Sequence, residues 1–113
     1  MHLGFGAFFL KGDAMDRNKR VAEMEAILNK HTDAVKAFKK ALAAFDEAQI
    51  AYDKLDAYYS SKDWFDDVDA FDRGEITVDC GVLTEDAVYD LIGDNYEMAK
   101  EMIRVANSIF QKH

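Results

Sequence analysis

Between residues 16 and 59 the chain contains neither glycine nor proline. Nothing in that run breaks a helix, and its apolar residues are spaced for one. They fall at Val21, Met24, Leu28, Val35, Phe38, Leu42, Phe45, Tyr52 and then Leu55 or Tyr59. The steps alternate between three and four, so these side chains line one side of an α-helix. The run predicts a helix on the order of 65 Å long. Thr32 offers an N-cap if the chain breaks at His31-Thr32-Asp33. The heptad phase passes through that point unchanged, and we prefer the unbroken helix. His31 and Gln49 occupy two positions of the stripe. A polar residue there either fixes the register of a helix pair or sits at the edge and meets water. The second is the expectation for both.

A chain of 113 residues is one domain's length. Half of it is apolar and it has no proline, which suits packed helices rather than a turn-rich β fold. The one cysteine, Cys80, excludes an internal disulfide. Asp79 beside it disfavours the thiolate, so a reduced, unreactive thiol in a cytoplasmic protein is expected.

The first fourteen residues read MHLGFGAFFLKGDA. Their apolar run is too short to span a bilayer, and it lacks the basic start and cleavage site of a signal peptide. Either they form an apolar arm or translation begins at Met15. Codons for Lys11-Gly12-Asp13 permit the purine-rich sequence that pairs with bacterial ribosomal RNA, which favours Met15. The expected organisation is an extension over residues 1–14 and a single helical domain over residues 15–113.

After the long helix, Ser60 or Ser61 starts a short one carrying Trp64, Phe65 and Val68. Ser60 and Asp63 have capping-box spacing. Residues 74–83 read as a loop, with Ile76 and Val78 as a weak strand signal. Thr84 is a good N-cap, followed by Glu85 and Asp86, whose charge complements a helix N-terminus. Val88, Leu91 and Ile92 give this third helix its apolar face. Gly93 ends or bends it. Asp94 and Glu97 then start a last helix with Ala99, Met102, Ile103, Ala106, Ile109 and Phe110 on one stripe. The predicted fold class is all-α: an antiparallel helical bundle or hairpin with one long N-terminal helix, a short aromatic helix, an acidic loop and two C-terminal helices. These last two reach roughly 40 Å and leave part of the long stripe uncovered. A homodimer would cover it.

The net charge of −8 is unevenly placed. Residues 15–59 are neutral, whereas residues 60–95 hold eleven Asp/Glu against Lys62 and Arg73. Phosphate backbones and anionic membranes need basic patches, so neither nucleic acid nor a membrane is an expected partner.

The acidic stretch also carries the most distinctive motifs. It has Tyr58, Tyr59, Ser61, Trp64 and Asp67, then Gly81, Val82, Leu83, Glu85, Asp86, Tyr89, Asp90 and Leu91. In this order and spacing the chain resembles a family of small bacterial proteins classed as domain of unknown function 4298. The resemblance covers about residues 15–110. It implies a bacterial, intracellular, helical protein and no particular activity. The family pattern has basic residues just before Gly-Val-Leu and a proline in the preceding loop. Here Asp79-Cys80 and no proline stand there.

Two constellations invite a chemical reading. Asp66, Asp67, Asp69 and Asp72 suggest a divalent cation, since hard ions take several oxygen ligands. The EF-hand template fails, because it puts Phe71 and Arg73 at ligand positions. A solvated acidic surface is the expectation, with no metal or cofactor. No nucleophile motif or phosphate loop marks an enzyme. The second constellation is aromatic: Tyr58, Tyr59, Trp64, Phe65, Phe71 and Tyr89. These rings either plug the end of the bundle or stay exposed as a docking patch. On the docking reading Tyr58, Tyr59, Trp64, Asp67, Tyr89 and Asp90 form the candidate interaction surface. The acidic rim would select a basic protein partner. The leading expectation is thus a non-catalytic interaction or regulatory module, with a divalent-cation binder as the alternative.

Overall fold

The computed structural model describes residues 7–113, with side chains described from Ala14 onward. Of the expected extension, residues 1–6 lie outside the described residues. Three helices and one 3₁₀ turn account for nearly all the rest: α1 (Ala7–Tyr59), α2 (Lys62–Asp72), the turn Gly81–Leu83 and α3 (Glu85–Lys112). Among the described residues there is no strand, so the fold is all-α. The chain divides into two compact units, Met1–Glu47 and Ala48–His113.

The described residues of the first unit all belong to α1. α1 is 53 residues long, about 80 Å at 1.5 Å per residue. It does not break at Thr32. That hydroxyl caps nothing and instead donates to the carbonyl of Leu28 at 2.7 Å, one turn back, as a mid-helix threonine does. Every described residue from 14 to 44 is exposed, His31 included. The apolar side chains of the stripe from Val21 to Leu42 stand exposed, and Phe45 after them is half-buried.

The second unit has a small core. Leu83 and Val88 are its buried side chains, at 9% and 3% exposure. Around them the end of α1 is half-buried at Gln49, Tyr52 and Leu55, and α3 at Ile92, Asn95, Met102 and Ala106. Gln49 does not meet water as expected. Its amide Nε2 donates to Asn95 Oδ1 at 2.9 Å, and Asn95 Nδ2 donates back to Gln49 Oε1 at 3.1 Å. This reciprocal pair sits on the apolar stripes of both helices. It fixes their register, because sliding either helix would strand two half-buried amides.

Of the two serines left open, Ser61 is the N-cap of α2, and its side chain accepts from the Trp64 amide. Ile76 and Val78 lie in a loop, as expected, and not in a strand. One local expectation changes: the two C-terminal helices are one. α3 runs 28 residues through Gly93 without a break, and Asp94 starts nothing. The physical reason is magnitude. A mid-helix glycine costs about 1 kcal/mol relative to alanine, too little to end a helix that buries Val88 before it and half-buries Met102 after it.

Gly93 has no positive φ, and a Cβ there would meet nothing within 4 Å. Replacing it should therefore only remove backbone freedom from the unfolded chain. Gly93→Ala is expected to stabilise the protein by about 0.5–1 kcal/mol, read as a higher urea midpoint with an unchanged slope. A lower midpoint would show that the glycine does something other than interrupt a helix.

Candidate functional site

The acidic, aromatic connector is assembled from the backbone outward. At the end of α1 the chain turns on the Tyr58 carbonyl, which accepts from both the Ser61 amide at 2.9 Å and the Ser61 hydroxyl at 2.6 Å. The same hydroxyl oxygen accepts from the Trp64 amide at 3.4 Å and so caps α2. α2 ends in a Schellman motif. Gly74, at φ 77°, donates to Phe71, and Glu75 donates to Ala70. Gly74 is the position that needs a residue without a Cβ, and a bidentate pair between Arg73 and Glu75 spans it.

These caps aim Trp64 inward. Its indole N–H donates to the carbonyl of Val82 at 3.0 Å, tying α2 to the 3₁₀ turn. Tyr59 and Phe65 meet the indole edge-to-face, each with ring centroids 5.2 Å away. That geometry suits the ring quadrupoles. The Tyr58 phenol donates to Asp67 Oδ2 at 2.6 Å. This bond, helped by burial, pushes the Tyr58 pKa up to about 12. Thr84 stands at the N-cap of α3, but its hydroxyl donates to Gly81 in the 3₁₀ turn rather than accepting from the helix.

The six residues of the expected surface thus separate into two groups. Tyr58, Tyr59, Trp64 and Asp67 are half-buried and engaged with one another or with the connector backbone. Tyr89 and Asp90 lie exposed on α3, where they line a shallow open hollow with Gly93, Asp94, Tyr96 and Glu97. Lys100 places its ammonium 5.6 Å from the centre of the Tyr96 ring. No described hydrogen bond or ring contact joins the two groups. Phe65 and Phe71 remain largely exposed, so the rings plug the turn only in part.

The carboxylates are spread around α2. Asp66 pairs with Lys62 at 2.7 Å on the surface, Asp67 accepts from Tyr58, and Asp69 and Asp72 are exposed. Among the described residues no three His, Cys, Asp or Glu side chains are placed to hold a metal ion. No described helix is long and apolar enough to cross a membrane.

Sequence reasoning missed two partners. The Val82 carbonyl, which holds Trp64, is backbone and leaves no mark in the residue types. Asn95 does leave one. It falls on the stripe of Val88 and Ile92, three residues after Ile92, where a polar residue signals a polar mate on the facing helix.

An all-helical domain with a capped, aromatic connector is the class of protein these features define. Within that class, the family model described as Domain of unknown function (DUF4298) matches residues 21–105, and the chain belongs to that family. The match takes in α2, the 3₁₀ turn, and most of α1 and α3. No curated protein and no solved structure matches the chain.

Two substitutions test the connector. Trp64→Phe keeps a ring but strands the Val82 carbonyl, and should cost about 1–2 kcal/mol in chemical denaturation. The Tyr58 phenol is harder to ionise folded than unfolded. Its contribution is therefore complete below the unfolded value of 10.0 and is lost as pH rises through about 12. Tyr58→Phe should flatten that alkaline loss in denaturation midpoints taken across the range. An unchanged alkaline slope would mean that the bond to Asp67 is not formed in solution.

Proposed function

We propose that this protein is a non-catalytic interaction module that works by pairing the apolar stripe of α1 with another helix. The observation that carries this reading is the exposure of that stripe from Val21 to Leu42. Val21, Leu28, Val35 and Phe38 each keep more than half of their surface in water although they recur at helix-pairing intervals. An isolated helix draws little stability from propensity alone, and a regular apolar seam is the form in which it gains more. Contiguous exposed apolar surface on a protein marks a binding face.

The connector has a different part in this reading. Its aromatic rings are turned largely to structural use, while its carboxylates stand outward. Of the eleven Asp/Glu in residues 60–95, ten are exposed and only Asp67 is half-buried. Such a field steers a basic partner toward the protein and speeds encounter, without supplying most of the affinity. The cation reading gains nothing from the geometry, because two of its four ligands are already engaged.

A photoreactive phenylalanine analogue placed at Leu28 and, separately, at Lys40 on the opposite side of α1 tests the proposal in living cells. Irradiation should give adducts of defined higher mass from position 28 and few from position 40. Absence of any adduct at position 28, with the protein expressed and folded, would remove the pairing face.

A further inference from the structure

We infer that the helix paired with α1 is that of a second copy of this chain, running antiparallel and centred near Asp33. This rests on the reading of α1 as a pairing face and identifies its occupant. Three observations support it.

The first is the fit of the seam to itself. Val21, Leu28, Val35 and Leu42 alternate with Met24, His31 and Phe38 as the two inward positions of a heptad. Turned antiparallel about Asp33, Met24 lies opposite Leu42 of the second copy, Leu28 opposite Phe38, and His31 opposite Val35. Each layer joins unlike side chains, so none sets two phenylalanines or two histidines against each other. One flank of the seam is apolar too. It carries Ile27, Ala34 and Ala41, and the same register lays Ile27 against Ala41 of the second copy. That accounts for an isoleucine, 58% exposed, outside the main stripe.

The second is charge. Residues 15–59 hold eight Lys/Arg and eight Asp/Glu. Yet every ion pair of the described residues lies elsewhere, in α2, its C-terminal turn or α3. The other flank of the seam carries Glu25, Thr32 and Lys39. The antiparallel register brings Glu25 beside Lys39 of the second copy, and the reverse, on either side of a Thr32 pair. A parallel dimer offers Arg20 against Glu25. It also stacks His31 on His31, which the antiparallel register avoids.

The third is area. The seven half-exposed apolar side chains at residues 21, 24, 27, 28, 35, 38 and 42 present on the order of 700 Å², near the ~800 Å² per partner of a standard interface. A second copy therefore covers enough for a specific dimer.

Sedimentation equilibrium on the full chain should give twice the monomer mass at micromolar concentration. Glu25→Lys or Lys39→Glu alone should weaken the dimer about tenfold by replacing two attractions with two repulsions, and the double variant should recover it. Both residues are exposed, so circular dichroism should show each variant as helical as the parent. In a Cys80→Ser background, spin labels at Thr32→Cys should lie close together across the dimer. Labels at Asn18→Cys should stand on the order of 40 Å apart. Close labels at position 18, or no recovery in the double variant, overturn the antiparallel register and the proposal with it. A monomeric mass at micromolar concentration also overturns the second copy. If adducts from position 28 then contain a different protein, the pairing face survives with another occupant. If there are no adducts, both readings fall.

Discussion

The hydrogen bond from the Trp64 indole to the Val82 carbonyl joins residues 18 apart in sequence, and it is the tie on which the second unit depends. α2 is a short helix with no buried residue of its own. Its hold on the rest comes through this bond, the edge-to-face contact of the indole with Tyr59 and the phenol of Tyr58. The 3₁₀ turn that supplies the carbonyl also delivers Leu83, and one residue later Thr84 sets the start of α3 so that Val88 is buried. Remove the bond, and the turn loses the anchor that orients both buried side chains. A half-buried carbonyl without a donor adds a desolvation cost to the lost contact. This is why one tryptophan governs a region in which most side chains are exposed.

The features legible in the sequence are those fixed by local spacing. α1 is written in a three-four alternation that a helix alone satisfies, and Thr32 could not interrupt it because its hydroxyl finds an acceptor within the helix. Ser61 is a cap residue whose chemistry is local as well, although choosing it over Ser60 required the turn at the Tyr58 carbonyl. What was not legible is decided at a distance or by a small energy difference. Gly93 is a break by propensity and no break in fact, because tertiary burial on either side outweighs about 1 kcal/mol. The direction of Trp64 depended on a backbone acceptor that no residue type announces. Gln49 was read as an edge residue because its mate, Asn95, lies 46 positions on.

The same contrast separates the two units. In the second, polar residues on the apolar stripes have found each other, and the Gln49 and Asn95 amides satisfy both donor and acceptor in a single exchange. In the first, the stripe continues with the same period, but Val21, Leu28, Val35 and Phe38 keep more than half of their surface in water, and none of the described ion pairs lies there.

The acidity can then be placed more closely than a net charge allows. Carboxylates concentrated after α1 leave residues 15–59 neutral, so on the proposed pairing two such helices approach without mutual repulsion. Had the same charge been spread along α1, like-charge contacts would oppose pairing along its whole length. On the proposed pairing, the connector's share of the acidity is therefore charge that the seam of α1 does not carry.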